Sequence, residues 1–171
     1  MIVDCFLVVL VCLLLHIVCK YLIKLYKDWL LTNFTYKVCY NHLYKRIPFD
    51  KMQEEVSVGL ANNHCHINAF NRAFSMIQLG EEHSVVVCLA IGDDNRAFVH
   101  CINRDGDTNK YYDITLGAYG MRRHVYFYVE EYVVDEYDMP NLVNFLEICK
   151  KKIIDENFNW FEKLFIDIDD I

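Results

Sequence analysis

The chain has 171 residues, 54% of them hydrophobic, and a formal net charge of −7. That length suits one compact domain with an appendage and leaves no room for several domains. Residues 1–50 carry a net +3 and residues 51–171 a net −10, so most of the chain lacks the basic footprint that nucleic-acid binding needs.

The first element is apolar. From Cys5 to Cys19 only His16 is not plainly hydrophobic. With Tyr21, Leu22 and Ile23 the stretch reaches the ~20 residues that cross a bilayer. Lys20, Lys24 and Lys27 follow it, and only Asp4 precedes it. Tyr21, Tyr26 and Trp29 fall where aromatic side chains meet lipid headgroups. The positive flank of a span is normally cytoplasmic, so a single-pass anchor with a cytoplasmic C-terminal domain is expected. A cleaved signal peptide fits less well, because no positive charge precedes the apolar run and no small-residue cleavage site follows it. Residues 1–31 therefore read as membrane anchor and interfacial segment, helical over 5–31.

Eight cysteines stand at positions 5, 12, 19, 39, 65, 88, 101 and 149. Their spacing matches no disulfide framework, which predicts free thiols in a reducing compartment. The glycosylation sequon Asn33-Phe34-Thr35 matters only in a secretory lumen.

Residues 32–61 read as a connector broken by Pro48, with a short helix near 50–58. A helix is expected from residue 62, capped by Asn62 or Asn63, with Ile67, Phe70, Phe74 and Ile77 at helical spacing. Gly80 stops it. Residues 84–91 form a Val-rich, buried strand, and Gly92-Asp93-Asp94-Asn95 a turn. Residues 96–103, 110–116 and 125–134 read as three further strands. Met139-Pro140 opens a helix with an apolar stripe of Leu142, Phe145, Leu146, Cys149 and Ile153. A second helical piece is expected over 158–165. The fold class is therefore α+β: an N-terminal transmembrane helix, a helix packed on an antiparallel sheet of about four strands, and a C-terminal helix, with the domain over 62–171.

Three residues carry chemistry. Cys65 falls in the first turn of the predicted helix, where the macrodipole and free N–H groups lower a thiol pKa. His100 lies among hydrophobic residues on both strand faces and needs partners for its ring nitrogens. If the hairpin closes around residues 104–109 with Asn103 facing Lys110, His100 and Asp113 stand directly opposite, Cβ atoms ~5 Å apart. A carboxylate there fixes the imidazole tautomer and stabilises the imidazolium. Each has a plainer reading: a packed core thiol, a satisfied core histidine, a structural ion pair. Structural zinc on His64, Cys65, His66, His100 and Cys101 is a rival with poor ligand spacing.

The segments Cys65-His66-Ile67-Asn68-Ala69, Val99-His100-Cys101 and Tyr112-Asp113-Ile114-Thr115-Leu116 resemble the papain-like/transglutaminase-like cysteine enzyme superfamily, in a small form of viral or phage type. The resemblance covers about residues 60–135. It implies Cys65 as nucleophile, His100 as general base and acid, and Asp113 as the orienting residue. Papain-like peptidases place a Gln shortly before the Cys; here the nearest is Gln53, so Asn62 or Asn63 would have to serve the oxyanion hole. Where transglutaminases often follow the nucleophile with an aromatic residue, this chain has His66.

The expected activity is hydrolysis of a protein or peptide amide (peptidase, amidase or deamidase) through a thioester, with no cofactor, no metal and no nucleic-acid partner. The alternative is a catalytically inactive, membrane-anchored binding module with the same fold.

Overall fold

The computed structural model describes residues 2–40, 43–54, 64–135 and 138–171, and only the backbone at 2–8 and 119. It is an α+β fold. Helix α1 (Ile2–Tyr40) is followed by strand β1 (Lys45–Arg46), a 3-10 turn (Phe49–Lys51), helix α2 (Cys65–Gln78) and strands β2 (His83–Ile91), β3 (Ala97–Asp105) and β4 (Lys110–Tyr112). Helix α3 (Gly117–Arg123), strand β5 (Val125–Val133) and helix α4 (Met139–Asn157) complete the domain, with short 3-10 turns at Glu162–Leu164 and Ile168–Asp170. The sheet is antiparallel in the order β1-β5-β2-β3-β4.

Helix α1 divides into two parts with different surroundings. Every residue from Val9 to Leu25 is exposed, although nearly all are apolar. This part makes α1 long and apolar enough to cross a membrane. Beyond it, Leu30, Leu31, Phe34 and Val38 are buried against Leu89, Ala97, Phe127, Ile153 and Phe158. The expected end of the helix at residue 31 is thus corrected. The helix runs to Tyr40, and its last turns belong to the core rather than to a connector. Burial of each such side chain is worth about 1.5–3 kcal/mol, enough to hold helical a segment rich in Thr, Asn and Tyr. Thr35 Oγ accepts the Ala97 N–H at 2.9 Å, and Arg96 pairs with Asp28 at 2.8 Å.

The sheet separates two apolar layers. Val85, Val87 and Cys101 face α2 and α4, meeting Ala69, Phe70, Ala73, Leu142 and Cys149. Val86, Cys88, Ala90, Ile102 and Tyr126 point the other way, toward Ile47, Met52 and Met121. Strand β1 and helix α3 are additions to the expected elements. Two expected elements are corrected. The strand over 110–116 ends at Tyr112, because Asp113 Oδ1 takes the N–H groups of Thr115 and Leu116. The helix over 158–165 is reduced to the Glu162–Leu164 turn, because Asn159 Oδ1 takes the N–H groups of Phe161 and Glu162. In both places a side chain offers the backbone a local alternative to regular structure. Of the short helix expected over 50–58, the described part is the 3-10 turn Phe49–Lys51, and residues 55–58 lie outside the described residues.

Candidate active site

Cys65 is the first residue of α2. The preceding cap position belongs to His64, whose side chain makes no capping hydrogen bond. Asn62 and Asn63, expected as cap and oxyanion-hole residues, lie outside the described residues. Two side-chain bonds set the helix in place. Asn103, fully buried on β3, donates to the Ala69 carbonyl at 2.7 Å, and Asn68 donates to Thr115 Oγ at 3.2 Å.

The hairpin pairs Asn103 with Tyr112, Arg104 with Tyr111 and Asp105 with Lys110. The expected pairing of Asn103 with Lys110 is corrected by two residues. Asp105 causes the difference: its carboxylate takes the N–H groups of Asp107 and Thr108 and the Thr108 hydroxyl, which closes a tighter turn ending in Asn109 at φ 55°. A shift of two preserves the face on which each side chain stands. Asp113 therefore reaches His100 on the diagonal instead of from directly opposite. His100 Nε2 and Asp113 Oδ2 are 2.8 Å apart.

Before Asn103, β3 has no partner strand on its β4 side among the described residues. The first turn of α2 stands against this stretch, so Cys65 meets His100 although α2 packs on the sheet face of Cys101 and the His100 side chain lies on the other, beside Phe98 and Tyr126. With Nε2 engaged by Asp113, Nδ1 is the ring nitrogen left for the hydrogen bond between His100 and Cys65. Cys65 is also hydrogen-bonded to the side chain and backbone of Cys101.

The electrostatics follow from these contacts. The Cys101 thiol, His100 and the Cys101 N–H outweigh the cost of burial and hold the Cys65 thiol down at about 3. Burial alone would lower His100, but the Asp113 carboxylate and the Cys65 sulfur raise it to about 10. Burial would raise Asp113; His100, the Leu116 N–H and the Tyr126 hydroxyl bring it below the usual carboxylate range. Tyr126 donates to Asp113 Oδ2 at 2.8 Å and is itself pushed far up by burial and that carboxylate. Cys101 and Cys88 are both raised well above the ordinary thiol value, Cys101 chiefly by its bond to Cys65 and Cys88 by burial. These contacts favour the charged form of Cys65 and the neutral forms of Cys101 and Cys88.

Cys65, His100 and Asp113 are therefore brought together. His100 is 4% exposed and Asp113 1%. A cleft of about 700 Å³ opens on Cys65 and His100, lined also by His66, Phe98, Leu116, Leu146, Lys150 and Asp169. Among the described residues, no group of three or more His, Cys, Asp or Glu side chains is arranged to hold a metal ion. Sequence reasoning gave no role to Tyr126, Asn68 or Thr115, and considered Cys101 only as a metal ligand. Asn68 and Thr115 stand within the motif segments themselves; Tyr126 comes from a strand no local spacing connects to Asp113.

No protein-family model matches the chain, and comparisons with curated proteins and with solved structures likewise find no match.

Proposed function

We propose that this chain is a membrane-anchored cysteine hydrolase, similar in its Cys-His-Asp order to papain-like and transglutaminase-like enzymes, acting on a protein or peptide amide. The observation that carries the reading is geometric: Cys65 opens helix α2 and shares a cleft with His100, whose Nε2 is held by the buried Asp113 carboxylate at 2.8 Å.

Each step has its group. The Cys65 sulfur attacks the carbonyl carbon, and first-turn N–H groups of α2 face the oxygen as charge develops there. His100 Nδ1–H protonates the departing amine as the C–N bond breaks, leaving a thioester on Cys65. Water then adds to the thioester as His100 takes its proton, and the acid leaves with Cys65 restored. Asp113 stays ionised throughout and orients the ring.

The exposed apolar part of α1 supports a single span, and Lys20, Lys24 and Lys27 at its C-terminal end support a cytoplasmic domain. The test is amide hydrolysis by the full chain in detergent, using a library of fluorogenic peptide amides. Turnover that vanishes in C65A and falls by about 10²–10⁴ in H100A supports the enzyme. A folded protein whose Cys65 resists alkylation and which turns over no member points instead to the inactive binding module.

A further inference from the structure

The domain stops covering α1 at Leu25, and Tyr26 is the first half-buried residue. Its ring stacks on Trp29 at 5.7 Å and meets Phe165 edge-on at 5.0 Å and Phe161 at 6.4 Å. Phe161 in turn touches Trp160 at 5.8 Å. The segment after α4 is thus fixed to α1 at the level where the uncovered apolar stretch ends. Four large side chains there remain open: Trp29 is 54% exposed, Trp160 78%, Phe161 46% and Leu164 69%. Single exposed apolar residues are ordinary; four joined in one place mark a contact surface.

We infer that Trp160, Phe161 and Leu164, with Tyr26 and Trp29, form a second membrane contact that lies in the headgroup–acyl boundary of the bilayer crossed by α1. The inference rests on α1 being a span. At 1.5 Å per residue, Tyr26 and Trp29 fall within about 6 Å of Leu25 along the axis. That is the depth of the polar layer on each side of a bilayer core, ~5–8 Å. Trp and Tyr favour that layer because one end of each ring system is apolar and the other hydrogen-bonds. Within the patch itself charge plays a small part, Lys24 standing just before it on α1. Lys27 is paired with Asp170 at 2.5 Å and Lys163 with Asp155 at 2.6 Å, and Glu162, Asp167 and Asp169 are close in sequence. The occupant is therefore a lipid surface recognised by its apolar boundary, zwitterionic lipid being sufficient.

The contact also bears on the site. Asp169 lines the Cys65 cleft, and its neighbour Asp170 holds Lys27 on the α1 turn that carries the patch. Lys150, also in the cleft, donates to the Ile168 carbonyl at 3.1 Å. Cleft rim and patch therefore share one short C-terminal segment.

The test places the full chain in phosphatidylcholine vesicles, with W29F leaving Trp160 as the sole tryptophan. Lipid brominated near the headgroup end of its chains should quench Trp160 emission about two-fold, because the ring sits ~5–10 Å into the boundary. Aqueous iodide should quench it little, and raising the salt should change neither result. Emission quenched by iodide and indifferent to brominated lipid overturns the inference. So does emission shielded from both, which places a second copy of the chain on the patch. Should W29F fail to fold, the difference between the unaltered chain and W160F gives the same quantity. Retention of the chain through alkaline carbonate extraction reports on the α1 span separately. A retained chain with an iodide-accessible Trp160 leaves the anchor standing and removes the second contact.

Discussion

Asp113 accepts four hydrogen bonds from four different groups: His100, Tyr126 and the N–H groups of Thr115 and Leu116. An amide in its place turns one acceptor into a donor facing groups that also donate. D113N should therefore cost about 1–3 kcal/mol of stability. It should also cut any amide turnover by up to ~10⁴-fold, because His100 loses the charge that holds its proton and tautomer. Thermal unfolding and turnover of the same preparation check both. The charge state is testable alone. Cys65, held at about 3, is a thiolate above that pH, and His100, raised to about 10, is an imidazolium below it. A depressed thiol loses its stabilising charge as pH falls through about 3, and a raised imidazole loses its own as pH rises through about 10. Iodoacetamide should thus modify Cys65 at a nearly constant rate across the neutral range and still readily in mild acid. H100A should move the midpoint back toward the ordinary thiol value near ~8.5, read by mass spectrometry of the Cys65 peptide. At this scale the sequence showed much of the site, because a His within an apolar strand and a Cys opening a helix are conspicuous. Its register error was harmless only because it was an even number of residues. Tyr126 and Cys101 stayed hidden, since their roles come from how strands and helix edges meet in space.

Helix α1 is the element whose reach was least visible. Leu30, Leu31, Phe34 and Val38 have helical spacing, but the Thr, Asn and Tyr between them obscure it, and only packing on β2, β3 and α4 decides the outcome. Phe34, 1% exposed, makes the case quantitative. Phe34→Ala should destabilise the domain by about 3–5 kcal/mol, measured by denaturant unfolding in detergent. A chain beginning at Lys24 should still fold and keep Cys65 reactive, whereas one beginning after Tyr40 should aggregate, having lost the α1 side of its core and the Lys37 bond to the Asn157 carbonyl. Strand β4 and the segment after α4 carry the complementary lesson. Apolar patterning foretold regular structure in both, and Asp113 and Asn159 ended it by capturing backbone N–H groups. Such side-chain bonds follow from particular geometry and leave no periodic trace.

At the scale of the whole molecule, the proposed cytoplasmic placement of the domain makes a sided prediction. In sealed cells a membrane-impermeant maleimide should leave Cys65 unmodified until the membrane is permeabilised, and mass spectrometry of the Cys65 peptide reads the difference. The division between open and covered helix also sets how the cleft explores its surroundings. A catalytic domain on a flexible tether of n residues roams roughly 5–6 Å × √n from its anchor point. Here a single helix passes from the open stretch into the core without a break, so the tether has no slack. On the proposed span of α1, the cleft would travel at one fixed height above the lipid and search in two dimensions. A substrate embedded in the same membrane would then meet it by lateral diffusion at a frequency set by surface density, while one dissolved in the surrounding volume would first have to come to that height.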